Sequence, residues 1–114
     1  MPIDKSLTAG SAAMLVLKLL QSSDMYGYQM IEELLSRSQN VFEFKTGTLY
    51  PLLHTLESKE WITSYEREEN GRTRKYYSIT ESGKTALSEK ESQWEQYTSA
   101  VSMVLKGGAN LVRS

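Results

Sequence analysis

The sequence predicts a mainly α-helical protein that carries one small β-hairpin. Between Thr48 and Lys59, leucines recur at the i, i+3, i+4 and i+7 spacing of one helix face. Further on, Asn70-Gly71 lies between two runs rich in Thr, Tyr and Ile, the pattern of a two-residue hairpin turn. Apolar residues that recur every seven positions between 81 and 106 predict a long final helix.

The composition excludes several classes of function. The chain has 114 residues, which fits one domain with a small core that a second subunit would help to stabilise. It has no cysteine and one histidine, so disulfides, thiolate zinc sites and cysteine nucleophiles are absent. The carboxylates are scattered and show no metal-ligand spacing. We therefore expect no enzyme activity, no metal and no cofactor.

The distribution of charge is more informative than its total. The formal charge is −1, which by itself does not favour a nucleic-acid partner. However, Arg72, Arg74 and Lys75 fall together beside the predicted turn, so the hairpin tip is positive. A solvated hairpin end is the alternative explanation for this cluster. The apolar run near the N-terminus is only about nine residues long, far below the roughly 20 that cross a bilayer. We expect a cytoplasmic protein without a membrane partner.

Two helices are predicted before the leucine-rich one. Residues 9–20 are apolar at nearly every position, so this helix should be buried on several sides, one of them by a second subunit. Ser22, Ser23 and Asp24 are candidate N-caps for a second helix, Tyr26 to Ser36. Gly27 either weakens the start of this helix or permits close approach of a neighbour. The predicted inner face consists of Met30, Ile31, Leu34 and Leu35.

The start of the third helix depends on Pro51. With Thr48 as N-cap, the missing N–H of Pro51 would cost nothing, whereas a start at Thr46 would cost one hydrogen bond. In both cases free backbone N–H groups lie near these threonines, where a phosphate oxygen could bind. Residues 38–45 are expected to form a short strand or an ordered loop.

A two-residue turn also fixes the pairing of the hairpin strands. Arg67 should lie opposite Arg74, and like charges so placed repel by on the order of 0.2–1 kcal/mol unless an anion lies between them. We take this as a mild argument for a bound phosphate. The other predicted pairs are Glu69 with Arg72, Glu66 with Lys75, Tyr65 with Tyr76, and Ile62 with Ile79. The core-facing side should carry Ile62, Ser64, Tyr77 and Ile79.

The last helix is predicted to begin after Thr80 as N-cap and to end near Lys106, before Gly107-Gly108. Its apolar positions follow a heptad that only Lys90 interrupts. The rest of the domain offers little surface to cover so long a helix, so we expect a dimer arm, with packing on its own domain as the alternative. One heptad line holds Leu87, Trp94 and Val101, and the other holds Tyr97, Val104 and Leu111.

Three helices, a hairpin and a further helix follow the order of a winged helix-turn-helix with a long C-terminal helix. Residues 48–57 read TLYPLLHTLE, residues 74–80 read RKYYSIT, and Gly83 follows. With Gly27-Tyr28 at the second helix, these motifs resemble the PadR family of bacterial transcriptional regulators over about residues 10–90. Residues 1–80 would then form the DNA-binding domain, and residues 81–114 the dimerisation helix and tail.

The resemblance implies a homodimeric repressor in which each subunit places its third helix in one half of a palindromic operator of double-stranded DNA. The sequence departs from the family pattern in two ways. His54 and Thr55 stand where the family often has Lys or Arg, and Glu60 replaces the Gly that usually ends the helix. The residues assigned to DNA binding are Lys45, Thr46, Thr48, Tyr50, His54, Arg67, Arg72, Arg74 and Lys75.

A single C-terminal helix is similar to the short branch of the family, which includes multidrug-sensing regulators with an apolar pore between paired tryptophans. Trp94 matches that tryptophan, and Val16 and Ala12 would line the pore from the first helix. This implies a planar hydrophobic or phenolic effector, unless Trp94 merely fills the dimer core. Two other functions remain open, a protein-interaction winged helix and a stand-alone ligand-binding protein. The dimerisation set is Leu87, Trp94, Tyr97, Val101 and Val104.

Overall fold

The computed structural model describes residues 3–107, and the predicted Leu111 lies outside them. The order of helices and hairpin is confirmed, with one additional short strand. The elements are α1 (Lys5–Ser22), β1 (Met25–Tyr26), α2 (Gly27–Arg37), α3 (Thr46–Ser58), β2 (Ile62–Glu69), β3 (Arg72–Ile79) and α4 (Glu81–Leu105).

Helix α1 is central to the domain and packs against α2, β3 and α4. It begins earlier than predicted because Asp4 caps it, accepting a hydrogen bond of 2.9 Å from the backbone N–H of Ser6. Several large side chains of the core are almost completely buried, as expected for a densely packed protein interior. Its most buried members are Val16, Leu17, Leu20, Met30, Leu49, Leu53, Leu56, Ile62 and Leu87.

Strand β1 corrects the prediction for the start of α2. Met25 and Tyr26 pair with β3 in an antiparallel ladder, so the chain stays extended until Gly27. The N-cap is therefore Tyr26, which makes no side-chain capping bond, rather than a residue from 22 to 24. Asp24 instead accepts a hydrogen bond of 2.7 Å from the hydroxyl of Tyr65.

Helix α3 begins at Thr46, so the prediction of Thr48 as N-cap is wrong. Lys45 is the N-cap, and its carbonyl accepts from the backbone N–H groups of Thr48 (3.0 Å) and Leu49 (2.9 Å). Pro51 then lies inside the helix, where it cannot donate to a carbonyl four residues earlier. The one-bond cost expected for this start therefore applies. Before α3, residues 41–45 form a loop rather than a strand.

The end of α3 keeps a left-handed conformation without the usual glycine. Glu60 has φ 62°, a region that disfavours residues with a Cβ. The backbone N–H of Trp61 reaches back to the carbonyl of Leu56 at 3.1 Å, which closes the helix end. The carbonyl of Glu60 accepts bonds from the hydroxyls of Thr80 (2.7 Å) and Ser82 (2.9 Å). The end of α3 is thus bonded to the start of α4.

The sheet has the strand order β1-β3-β2. All predicted pairs of the hairpin are confirmed, from Ile62 with Ile79 to Glu69 with Arg72. Asn70 (φ 50°) and Gly71 (φ 77°) form the turn with two positive φ values that this register requires. The outer face is not simply solvated, because Tyr76 on that face is also buried.

Helix α4 begins as predicted, since Thr80 Oγ1 accepts a bond of 3.0 Å from the N–H of Gly83. Only the first two turns are buried, and no residue of α4 after Leu87 is buried. Leu87 itself is 1% exposed and belongs to the subunit's own core, so its assignment to the dimer contact is corrected. The helix ends near the predicted position, with Gly107 at φ 79°.

Candidate nucleic-acid interface

The exposed side of α3 carries short polar groups. Thr46, Thr48 and His54 are exposed, together with the N-cap Lys45. First-turn amides of a helix have no intrahelical acceptor and carry the positive end of the helix dipole. The hydroxyl of Thr55 already donates to the carbonyl of Pro51 at 3.1 Å. This surface can accept and donate hydrogen bonds, but only Lys45 brings a permanent positive charge to it.

Tyr50 lies one helical turn from both Thr46 and His54 and packs across the start of α2. Its hydroxyl and ring lie where a Cβ at Gly27 would be, and the side chain is 39% exposed. Burial raises the pKa of Tyr50, and the neighbouring Tyr77 and Tyr28 raise it further. At neutral pH Tyr50 is therefore an uncharged hydroxyl that can donate a hydrogen bond.

A cleft of about 310 Å³ brings Tyr50 together with the basic residues of the hairpin. It lies between the start of α2, the side of α3 and strand β3. Three of the cations predicted to bind DNA are found here, whereas Lys45, Thr46, Thr48, His54 and Arg67 are not part of it. The lining residues are Tyr26, Gly27, Tyr28, Tyr50, Arg72, Thr73, Arg74, Lys75 and Tyr77.

The carboxylate of Glu69 lies between the facing arginines of the hairpin. Their juxtaposition therefore does not require a bound phosphate, which corrects the prediction made from the sequence. Glu69 Oε2 lies 3.3 Å from Arg67 Nη2, and Glu69 Oε1 lies 3.8 Å from Arg74 Nε. The hydroxyl of Tyr76 donates to the same Oε1 at 2.8 Å. The repulsion between the two guanidinium groups is thus offset within the strand pair.

Aromatic rings also contact these arginines through cation-π interactions. The guanidinium of Arg67 lies 4.7 Å from the ring centre of Tyr76, and that of Arg74 lies 4.3 Å from the ring of Tyr26. The rings of Tyr26 and Tyr76 meet edge to face at 5.4 Å, and Tyr65 stacks on Tyr76 at 5.8 Å. We call these five residues and Glu69 the wing cage. Tyr26 was missed in the sequence because β1 is too short to give a periodic pattern.

Trp94 lies in a second cleft, of about 720 Å³, between the N-terminal half of α1, the loop before α3 and α4. It is 43% exposed. Of the two α1 residues predicted to face it, Val16 is fully buried in the core and Ala12 lines a different cleft, beside Thr48. The assignment of Val16 is therefore corrected, and Ala12 does not line the cleft with Trp94. The α1 residues that line the cleft with Trp94 include Leu7, Ser11, Met14 and Leu15.

The distal half of α4 exposes a continuous apolar strip. Tyr97 is 64% exposed and Val104 76% exposed, and the ring of Tyr97 lies 6.4 Å from that of Trp94. Isolated exposed apolar residues are ordinary, whereas contiguous exposed apolar patches are typical of interaction surfaces. Its members are Trp94, Tyr97, Ala100, Val101, Val104 and Leu105.

Within residues 3–107, no group of three His, Cys, Asp or Glu side chains could hold a metal ion. Over the same range, no helix has both the length and the apolar character needed to span a membrane.

Comparison with known proteins decides the family. The family model described as "Transcriptional regulator PadR-like family" matches residues 16–89. The chain belongs to the PadR-like family. PadR members are transcriptional regulators rather than enzymes, in agreement with the prediction that the chain has no catalytic activity.

Individual relatives agree with this placement. An uncharacterized protein X of Lysinibacillus sphaericus is 33% identical over 106 residues, 92% of this chain and 97% of the relative. Transcriptional regulator Rv3488 of Mycobacterium tuberculosis is 34% identical over 74 residues, 65% of this chain and 66% of that protein. The crystal structure of a PadR family regulator from Eggerthella lenta superposes with a TM-score of 0.81 at 32% identity, covering 90% of this chain and 88% of the other.

Proposed function

We propose that this PadR-family regulator is a repressor that binds a palindromic operator as a homodimer, and that a planar hydrophobic or phenolic ligand releases it. The observation that carries the DNA-binding part is the cleft in which Tyr50 of α3 meets Arg72, Arg74 and Lys75 of the hairpin. Residues 1–80 would bind DNA and residues 81–114 would dimerise, of which residues 3–107 are described. Its site of action would be the cytoplasm.

The DNA contacts would divide between helix and wing. Helix α3 would enter the major groove, with His54 near base edges and Lys45, Thr46 and Thr48 near a phosphate. The hairpin would lie along the sugar-phosphate backbone, with Arg72 and Lys75 supplying charge.

The small number of cations on the surface of one subunit that would face DNA supports binding as a dimer. Few cations face the same way as α3, and each neutralised phosphate contributes a salt-dependent share of affinity. Two linked copies add their contacts and match the two-fold symmetry of a palindrome. The apolar strip on α4, with Trp94, Tyr97, Val101 and Val104 from the predicted dimerisation set, offers the surface for this pairing.

A quantitative binding titration tests the repressor hypothesis. The protected region upstream of the protein's own gene is found by footprinting, and affinity is then measured against that duplex and a scrambled duplex at physiological salt. We expect a large preference for the first and a shallow salt dependence. Replacing Arg72 and Lys75 by alanine should weaken binding to both duplexes. Lys84→Ala, which is remote from the wing, should not weaken it.

Equal affinity for both duplexes would exclude sequence-specific repression and favour a protein-interaction module. In that case loss of Arg72 and Lys75 would leave function intact.

The ligand hypothesis rests on the half-exposed indole of Trp94 in its apolar cleft. A planar aromatic compound could stack on this indole and on that of a second subunit. Titration of such compounds into a Trp61→Phe protein should quench the remaining Trp94 fluorescence and reduce operator binding. This background removes the signal of Trp61, whose ring lies between Lys59 at 4.6 Å and Lys90 at 5.3 Å. Unchanged ligand affinity in Trp94→Ala would end the hypothesis.

A further inference from the structure

We propose that Glu69 sets the DNA affinity of the wing by competing with phosphate for Arg67 and Arg74. This inference rests on the proposed DNA binding and assigns a function to a carboxylate that the binding surface would otherwise not need. A carboxylate at the tip of a hairpin meant to meet a polyanion works against that role unless it serves another purpose.

The geometry of the wing cage places the carboxylate where a phosphate would bind. One oxygen of Glu69 is 3.3 Å from Arg67, and the other is 3.8 Å from Arg74 and accepts the hydroxyl of Tyr76 at 2.8 Å. Carboxylates and phosphates use the same guanidinium donors, so a DNA phosphate that approaches Arg67 Nη2 or the Arg74 guanidinium competes with Glu69. The Nε of Arg74 is buried and makes no hydrogen bond among the described residues, so its attraction to Glu69 is electrostatic only.

The cage also keeps the arginines in place when the carboxylate charge is removed. Tyr76 and Tyr26 hold the two guanidinium groups by cation-π contacts that do not involve Glu69. A glutamine at position 69 could still accept the hydroxyl of Tyr76 through its side-chain oxygen. Glu69→Gln therefore removes the charge and leaves the frame of the wing in place.

The matched control is Glu68, the preceding residue in the strand. Glu68 points to the opposite face of the hairpin, pairs with Thr73 and is exposed. Glu68→Gln changes the net charge by the same amount, one residue further from the tip. Any general effect of charge on association with DNA is therefore shared by both variants, and only the local release of arginines differs.

The experiment measures affinity for the footprinted duplex and for a scrambled duplex as a function of salt. In Glu69→Gln, each arginine that gains a phosphate should steepen the log–log salt dependence by about 0.9. Two arginines in each of two subunits give an increase of up to about 3.6, with tighter binding to both duplexes. Adding Arg67→Ala to Glu69→Gln should remove about half of the gain. In the wild-type background Arg67→Ala should change the slope little.

Three results would overturn the inference. The salt dependence of Glu69→Gln could equal that of Glu68→Gln, its binding could weaken, or Arg67→Ala could flatten the wild-type slope fully. Thermal unfolding of each variant shows whether the substitution has destabilised the fold. If the wild type did not prefer its own duplex, the proposed repressor function would fail. The comparison of slopes on scrambled DNA would still test Glu69.

Discussion

The hydroxyl of Tyr50 occupies the space that a side chain at position 27 would need. Tyr50 belongs to the TLYP motif of α3, and Gly27 begins α2, so two separate motifs meet in one contact. Gly27 lies in a helix with negative φ, and its role is therefore space rather than unusual backbone conformation. The contact fixes α3 against α2 and against the cleft that holds the basic residues of the wing.

Gly27→Ala should lower the free energy of unfolding by about 1–3 kcal/mol, because the new methyl group overlaps the ring and hydroxyl of Tyr50. Urea titration measures this. Gly47→Ala is the control, since a Cβ there meets nothing within 4 Å and should stabilise α3 by up to about 1 kcal/mol. In a Tyr50→Ala background the cost of Gly27→Ala should largely disappear. An unchanged cost there would show that the two residues are not coupled.

Glu60→Gly should stabilise the domain by up to about 1 kcal/mol, because a left-handed conformation costs a residue with a Cβ about 1–2 kcal/mol and costs glycine little. Lys59→Gly is the matched control. Lys59 has φ −82° and ψ −2°, which suits ordinary residues, so glycine there should destabilise by roughly 0.5–1 kcal/mol. Thermal or urea unfolding of both proteins measures the difference. If Glu60→Gly destabilised the domain, the side chain of Glu60 would contribute more stability than its left-handed backbone conformation costs.

Thr80→Val should destabilise the domain by about 1–2 kcal/mol, because it removes the cap of α4 and a bond to the carbonyl of Glu60. Thr80→Ser keeps the hydroxyl and should cost much less. Denaturant unfolding compares the two with the wild type. A loss in Thr80→Val no larger than the loss in Thr80→Ser would contradict the role of the hydrogen bonds.

Val104→Asp should weaken self-association at least about tenfold, because a charge would enter the apolar strip of α4. Ser99→Asp introduces the same charge at an exposed position that lies 200° around the helix from Tyr97 in an ideal α-helix at about 100° per residue, and it should have little effect. Sedimentation equilibrium measures both. Leu87→Ala should instead destabilise each subunit by about 2–5 kcal/mol, since Leu87 is fully buried in the core. An unchanged association constant for Val104→Asp would remove the strip from the dimer contact.

The contribution of Tyr65 and Tyr76 to the free energy of unfolding should be constant from neutral pH to about pH 10 and fall above it. Burial and the hydrogen bond to Glu69 raise the pKa of Tyr76, and the hydrogen bond to Asp24, followed by burial, raises that of Tyr65. Above the ordinary pKa the unfolded chain loses these protons while the folded chain keeps them, so alkali favours unfolding. Urea titrations from pH 8 to 11 should show a flatter fall in Tyr76→Phe. The same slope in both proteins would contradict the role of Tyr76.

The hairpin was predictable in detail because its register depends only on the length and chemistry of the turn. Asn70-Gly71 fixes every pair from 62–79 to 69–72, and all of them are present. The face that each residue occupies follows from the same count. What did not follow was the role of Glu69, since a carboxylate opposite Arg72 in register bonds instead to Arg67 and Arg74 on the same face.

Predictions failed where the sequence offered several equally suitable buried faces of a helix or several equally suitable N-cap residues. Helix α1 is apolar all round, so periodicity could not tell that Met14, rather than Val16, lines the cleft beside Trp94. Thr48 is a good capping residue, yet α3 begins two residues earlier after Lys45. Leu87 fits the heptad of α4 but lies where that helix still touches its own domain. Tertiary packing decides all three, and a single sequence does not contain it in readable form.

The bonds from Thr80 and Ser82 to the carbonyl of Glu60 make the end of α3 the pivot of a long lever. Helix α4 continues for 25 residues from that point, or about 38 Å at 1.5 Å per residue. A rotation of about 5° at the pivot moves the far end by about 3 Å, close to the rise of two helical residues. Conversely, a shift of about 3 Å among the apolar side chains at the far end of α4 corresponds to a rotation of only a few degrees at the end of α3.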